Sequence, residues 1–124
     1  MTHPNFSIVT DPARTLIRVT MRGFWDAAAI EAYDVEIRKA AQQMSAAGCR
    51  PGDLVALVDT RELSTQSQDL LAVYKEQFGG ADRQPRRLAT IVSSALLKRQ
   101  VERLAMPNQR LFQDEQAAMR WLFE

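Results

Sequence analysis

The side chains best suited to chemistry follow one another in a single polar segment, directly after the apolar run LVALV. Asp59 and Arg61 come first, and the hydroxyl residues Ser64, Thr65 and Ser67 follow them. A carboxylate can serve as a general base, a serine or threonine can be phosphorylated, and an arginine can bind an anion through two parallel hydrogen bonds. The segment is therefore a candidate catalytic, phosphorylation or anion site, while its serines are also candidate helix caps.

The rest of the sequence does not indicate a catalytic or metal centre. The chain has one histidine, His3, and one cysteine, Cys49, and two such residues far apart do not form an ordinary metal site. Asp59 has no visible nucleophile or metal partner. The glycine pair at 79–80 follows a helical pattern, whereas a phosphate-binding loop follows a strand. We therefore expect no enzyme activity, no metal and no cofactor.

Length and composition predict one globular domain over residues 1–124. Hydrophobic residues make up 46 % and charged residues 25 % of the chain, and the net charge is +1. A net charge so close to zero does not favour binding to nucleic acid or to an anionic membrane. Between Asp82 and Arg110, seven basic residues stand against two acidic ones. They could form an electropositive face for an acidic partner, although such runs are more often solvated surface.

Targeting signals are not evident. The first residues lack the basic and then apolar pattern of a signal peptide, and LVALV is far too short to span a membrane. We therefore expect a cytoplasmic protein.

Nine segments with strand or helix periodicity follow one another along the chain. Ile17, Val19 and Met21 alternate with polar residues, which predicts a strand with one apolar and one solvated face. LVALVD is apolar until its last residue, which is typical of a central strand covered on both faces. In order, the segments are strands FSIVT and TLIRVTMR, a helix after Asp26, strand LVALVD, a helix from about Ser67, strand RLATIVS, helix SALLKRQVERLA, strand RLF and helix EQAAMRWLF.

The order β-β-α-β-α-β-α-β-α predicts an α/β fold with a mostly parallel central sheet and an antiparallel edge strand. Strands that alternate with helices pair in parallel through right-handed crossovers. Gly48, Gly79–Gly80 and Pro107 are expected to end the first three helices.

Ligands of open parallel sheets bind beyond the carboxyl ends of the strands, so we take the rim formed there as the candidate site. Two helix N-termini, near Ser67 and Ser94, are expected to point to this rim, and with Arg61 they could hold a phosphate or carboxylate. The competing interpretation is that both serines only cap their helices. The candidate rim consists of Trp25, Asp26, Asp59, Arg61, Ser64, Thr65, Ser67, Gln68, Ser93 and Ser94.

Two adjacent aromatic residues, Phe24 and Trp25, lie at the same rim between a strand and a helix. Either they border a ligand cavity together with Tyr74 and Phe78, or they plug the end of the core. Adjacent residues do not easily face the same way, so one of the pair could be exposed.

The element order, the strand LVALVD and the switch from loop to helix after it resemble the STAS domain family. Its prototype is the SpoIIAA-like antagonist of an anti-sigma factor, and the resemblance covers about residues 6–122. In that family an Asp-Ser-Ser/Ala-Gly motif opens the helix, and a partner kinase phosphorylates its first serine. Here the four positions read Ser67-Gln68-Asp69-Leu70, so Gln68 stands at the phosphoacceptor position and Ser67 lies one residue away from it.

Three interpretations of function remain open. The resemblance implies a non-enzymatic regulatory or protein-interaction module that acts through loop 60–68 and the following helix, without classical serine phosphorylation. Divergent members that lack the motif have been considered as carriers, which implies the alternative of a small apolar or anionic ligand bound at the rim or between helices and sheet. A homodimer formed through the exposed first strand is compatible with either function.

Overall fold

The computed structural model describes residues 2–124 as a six-stranded sheet with four α-helices. The strands are β1 (Thr2–His3), β2 (Phe6–Asp11), β3 (Leu16–Gly23), β4 (Val55–Leu63), β5 (Arg87–Ile91) and β6 (Gln109–Phe112). The helices are α1 (Ala27–Ala46), α2 (Gln68–Phe78), α3 (Ala95–Leu104) and α4 (Glu115–Leu122). Three short 3-10 turns lie at Pro12–Arg14, Pro51–Asp53 and Ala81–Arg83.

The strands lie side by side in the order in which they occur along the chain. β1, β2 and β3 pair antiparallel, whereas β3 to β6 pair in parallel. The predicted α/β architecture is therefore confirmed, with the addition of β1. That two-residue strand pairs with Phe6 and Ser7 only, so the hairpin strand β2 forms the sheet edge over the rest of its length.

Each of the first three helices begins at a side chain that accepts a hydrogen bond from its first turn. The Asp26 carboxylate accepts from the amide of Ala29 at 2.8 Å, the Ser67 hydroxyl from Leu70 at 3.1 Å and the Ser94 hydroxyl from Leu97 at 3.0 Å. Such caps satisfy amide groups that have no partner inside the helix. The predicted caps at Ser67 and Ser94 are confirmed, and Asp26 caps α1 in the same way.

The sheet is covered on both faces in its centre and on one face at the hairpin. Leu57 packs in a cluster with Ala118 and Leu122 of α4, whereas its neighbour Val58 packs against the cluster that contains α1. Side chains of a strand alternate between the two faces of a sheet. A strand covered on both sides is apolar throughout, which explains why LVALVD does not alternate.

The basic residues after position 82 are partly used inside the fold. Arg83 forms an ion pair with Asp34 at 2.7 Å, while Arg86 and Arg87 donate to the carbonyl groups of Leu122 and Trp121 at the end of α4. Cations at a helix C-terminus satisfy its last carbonyl groups. These three arginines therefore serve packing and capping, which reduces the charge available to an acidic partner. Within residues 2–124, no helix combines the length and the apolar character that crossing a membrane requires.

Candidate functional site

The rim lies at the carboxyl ends of β3, β4 and β5, where three chain segments meet. The first runs from Gly23 to Asp26, the second follows β4, and the third contains Ser93 and Ser94. The amide of Ser64 donates to the carbonyl of Gly23 at 3.2 Å, which joins the first two segments. The predicted assembly of these segments at one end of the sheet is thus observed.

Gln66 ties the first two rim segments to each other and to α3. It is buried, and its side-chain oxygen accepts a hydrogen bond from the amide of Trp25 at 2.9 Å. Its side-chain nitrogen donates to the carbonyls of Gly23 at 2.9 Å and Ser64 at 2.6 Å. The Gln100 side chain of α3 accepts from the Gln66 amide at 2.9 Å and donates to the Gln66 carbonyl at 2.8 Å. The loop before α2 is therefore fixed against the first rim segment and against α3.

Sequence reasoning did not single out Gln66. Glutamine is mostly an exposed residue, and this one lies in a polar segment next to the hydroxyl residues Thr65 and Ser67. Its partners Trp25 and Gln100 are 41 and 34 positions away. No local pattern signals such a set of contacts.

Asp59 and Arg61 are directed to the α4 side of the sheet and bind each other. Two guanidinium nitrogens of Arg61 donate to the two Asp59 oxygens at 3.0 and 2.7 Å, and one of them also contacts Glu115 at 3.4 Å. The Asp59 carboxylate further accepts from the Arg61 amide at 3.0 Å, so it fixes the strand end as expected. Because its charge is already paired, Arg61 is not free to complete an anion site with the two helix N-termini.

The paired carboxyl groups titrate below their usual range. Hydrogen bonds from Arg61 hold the pKa of Asp59 below its ordinary value, and those from Arg18 do the same for the pKa of Glu115. Asp59 is thus a structural anion at neutral pH. A general base would need a pKa nearer to neutrality.

Some of the remaining rim residues cap helices, and the others are exposed or half-buried. Asp26, Ser67 and Ser94 use their side chains as caps. Ser93 and Gln68 are exposed, and Ser64 and Thr65 are half-buried. The cap of α2 is Ser67. Gln68, at the position of the family's phosphoacceptor, is the first residue of α2.

Phe24 and Trp25 point in opposite directions. Phe24 is 72 % exposed, whereas Trp25 is 8 % exposed and packs against Phe6, Tyr33 and Tyr74 with ring centroids 5.3 to 6.5 Å apart. The expectation that one of the pair could be exposed is confirmed. Trp25 plugs the core at the end of the sheet, and Phe24 is the most exposed large apolar side chain of the residues that the structure describes.

Two cavities lie between the helices and the sheet. The larger, of about 330 Å³, is lined by residues of α1, α2 and the sheet, including Tyr33, Tyr74 and Phe78. The smaller, of about 70 Å³, lies between α2, α3 and the sheet and is lined by Trp25 and Tyr74 among others. Four residues line both cavities, namely Val58, Tyr74, Leu88 and Met106. Three of the four aromatic residues expected around a cavity are therefore there, but the placement of Phe24 was wrong.

Burial keeps Tyr74, which lines both cavities, in its neutral form. It raises the pKa of Tyr74 to about 12, so its hydroxyl is neutral at physiological pH. In the described part of the chain, no three His, Cys, Asp or Glu side chains are grouped as a metal ion would require.

Comparisons with known proteins relate the chain to a structure rather than to a sequence family. No protein-family model and no curated protein sequence matches it. A solved structure of an uncharacterized protein from the DUF3478 family of Shewanella loihica PV-4, described as having a SpoIIAA-like fold, superposes with a TM-score of 0.65. The two chains are 20 % identical, and the match covers 98 % of this chain and 97 % of the other. The strand order, the covering helices and this superposition show that the chain has the SpoIIAA-like fold.

Proposed function

We propose that the chain is a non-enzymatic module that binds a protein partner through the rim, with loop 60–68, the start of α2 and Phe24 as the contact surface. The observation that carries this proposal is the exposure of Phe24, 72 % of whose surface faces solvent. Large aromatic side chains contribute disproportionately to binding energy at protein interfaces.

The rigidity of the rim supports the same proposal. Gln66 joins the segments at Gly23, Ser64 and Gln100, and the Asn5 side chain donates to the carbonyl of Phe24 at 2.8 Å. A surface that is already ordered loses less conformational entropy when a partner binds. Phe24 is therefore presented from a fixed backbone.

The arrangement at the start of α2 favours recognition without serine phosphorylation. The Ser67 hydroxyl already serves as the helix cap, and the exposed Gln68 cannot accept a phosphoryl group. We infer that the partner recognises the shape and polarity of the loop, not a phosphate on it.

A pair of matched variants tests the proposal. Phe24→Ser removes the exposed ring at the rim, and Val35→Ser removes a 52 % exposed apolar side chain from α1, away from the rim. In affinity purification from the native host, we expect the Val35→Ser protein to capture the same partner as the unmodified chain and the Phe24→Ser protein to lose it. Equal capture by both variants, or no enriched protein at all, contradicts the proposal.

A second candidate function is the carriage of a small apolar ligand, and the two cavities favour it. Ligand sites are concave and mainly apolar, with volumes of roughly 300 to 1,000 Å³, and the larger cavity alone reaches about 330 Å³. Native mass spectrometry of protein purified from its own host is the direct test. A retained small molecule supports carriage, whereas the bare protein mass in every preparation counts against it.

The edge of the sheet also offers a surface through which two copies of the chain can associate. Beyond the residues paired with β1, strand β2 has unpaired backbone groups and the 59 % exposed Val9, which can pair with a second copy. Light scattering over a range of concentrations decides whether a dimer forms.

A further inference from the structure

The smaller cavity, between α2, α3 and the sheet, has an unusual lining. None of its lining residues is charged. Its polar side chains are mostly bonded to one another or to the backbone: Thr60 donates to the carbonyl of Ile91 at 2.6 Å and Thr90 to the Gln109 side chain at 2.7 Å. Gln66 and Gln100 are bonded to each other, as described above. The cavity is therefore a mainly apolar space in which the side-chain donors of Thr60, Thr90, Gln66 and Gln100 already have partners.

Trp25 is the exception to this rule. It lines the cavity and is more than nine-tenths buried. Among residues 2–124, its indole nitrogen Nε1 is the one buried side-chain nitrogen or oxygen without a hydrogen-bond partner. Buried donors are almost always paired in folded proteins, and an unpaired one calls for an explanation such as a missing water or ligand.

We propose that this cavity binds a neutral, mainly apolar molecule that carries one acceptor oxygen, and that this oxygen accepts a hydrogen bond from the Trp25 indole. This inference rests on the carrier function, the second candidate above, and specifies its site and ligand class. A ketone on an unbranched chain fits the description. The chain would extend past Tyr74 and Met106, which line both cavities, into the larger one.

The lining argues against an anionic head group at this position. A carboxylate or phosphate transferred into the small cavity would meet no cation there, and an unpaired buried charge is very unfavourable. A buried water needs two to four polar partners, and the oxygens of Thr60 and Thr90, whose protons are donated elsewhere, still have lone pairs for one, so a long-lived water at the indole is an outcome of the test. Nε1 has almost no exposed surface of its own, so the indole ring must turn slightly toward the cavity for a ligand with one acceptor and an otherwise apolar body to satisfy it.

The indole N–H resonance provides a direct measurement of this contact. The chain has two tryptophans, and Trp121 lies outside both cavities, packed on Phe112, so it is an internal control that the Trp121→Phe variant assigns. In nitrogen-15 spectra of the full chain titrated with 2-octanone, we expect the Trp25 indole proton to shift downfield and that of Trp121 to stay in place. Sodium octanoate should leave the Trp25 indole proton in place, because its carboxylate finds cations only in the larger cavity, at Arg38 and Arg83.

A comparison of two probes separates the hydrogen bond from the filling of space. 2-Methyl-1-octene has the shape of 2-octanone but a methylene group in place of the acceptor oxygen. The two probes also differ in how strongly water solvates them, so the hydrogen bond is measured by the change in their affinity ratio and not by the ratio itself. A neutral hydrogen bond corresponds to about a three- to tenfold difference in affinity, so the ratio of ketone to alkene affinity should be larger by that factor in the unmodified chain than in Trp25→Phe, which lacks the donor.

The possible results distinguish failure of the contact from failure of the carrier function. If both probes bind but the Trp25 resonance is unmoved and the affinity ratio is the same in Trp25→Phe, the proposed contact is refuted while carriage stands. If neither probe binds at its solubility limit, both are refuted. A nuclear Overhauser contact from the Trp25 indole to a long-lived water that persists with 2-octanone would also overturn the contact. A downfield shift of the Trp25 indole proton by octanoate would refute the ligand class.

Discussion

Removal of the Gln66 side chain should destabilise the protein more than its size suggests. In Gln66→Ala the buried amide of Trp25 loses its acceptor, and the carbonyls of Gly23 and Ser64 lose a donor. An orphaned buried amide costs about 1–3 kcal/mol, and each neutral hydrogen bond is worth about 0.5–1.5 kcal/mol. The Gly23 carbonyl keeps its bond from the Ser64 amide, and water can reach the half-buried Ser64. We therefore expect a total loss of about 2–4 kcal/mol of unfolding free energy.

Urea denaturation measures this loss, with Gln68→Ala as the matched control. Gln68 is an exposed glutamine two positions away with no side-chain hydrogen bond in the described structure, and such surface changes usually stay within about 0.5 kcal/mol. Gln66→Met keeps most of the side-chain length without its hydrogen bonds and should lose nearly as much as Gln66→Ala. The dependence on urea concentration should keep its slope, because the unfolded surface is unchanged.

Hydrogen exchange tests the same reasoning at a single atom. The Trp25 amide should exchange faster in Gln66→Ala, while amides of α4, on the other face of the sheet, keep their relative protection. If Gln66→Ala and Gln68→Ala were equally stable, or if Gln66→Met behaved like the unmodified chain, the role assigned to the Gln66 hydrogen bonds would be wrong.

Three further predictions concern helix caps, ion pairs and the core. Ser94→Ala should lose about 0.5–2 kcal/mol of unfolding free energy in urea, because the cap of α3 is removed, whereas Ser93→Ala should be nearly neutral. Because the folded-state pKa values of Asp59 and Glu115 are lowered, their ion pairs stabilise the fold fully above the ordinary carboxyl pKa values, and this contribution is lost as the pH falls through the lowered values. The double variant Asp59→Asn, Glu115→Gln should therefore show a flatter loss of stability in urea titrations at decreasing pH, and an unchanged slope would contradict the assignment. Leu122→Ala, at a fully buried position of the α4 core, should cost about 2–5 kcal/mol in the same assay; a loss below 1 kcal/mol would show that α4 is not packed as described.

Local signals in the sequence were sufficient for the elements and their order. Side-chain periodicity separated the strands from the helices, and the uninterrupted apolar run of β4 indicated that both of its faces are covered, as the packing of Leu57 and Val58 shows. The caps at Asp26, Ser67 and Ser94 were predictable because a cap bonds an amide only three positions away. The predicted ends of the elements were less accurate, since β4 continues four residues beyond Asp59, to Leu63. β1 was not anticipated because a strand of two residues is too short to show a periodicity.

The connection of these elements into a site depended on contacts that no local pattern records. Arg61 was predicted to be available to an anion, yet its guanidinium binds Asp59 and Glu115, the latter 54 positions away on α4. The positions of the two cavities follow from how α1, α2 and α3 rest on the sheet. Their volumes depend on the interhelical distances, which are set by side chains from several elements at once.

Phe24, Trp25 and Gln66 show which features could be predicted from the sequence and which required the tertiary structure. By itself, the sequence determined which elements form, how they alternate and that the polar segment after β4 lies at the carboxyl end of a parallel sheet, because periodicity, capping and crossover handedness act over a few residues or follow from topology. Only the tertiary structure decided that Phe24 faces solvent, that Trp25 is buried with an unpaired indole nitrogen, and that Gln66 bonds the rim together. Those outcomes depend on partners that are distant in sequence, and whether a polar group has a partner is known only once the chain has brought such residues together.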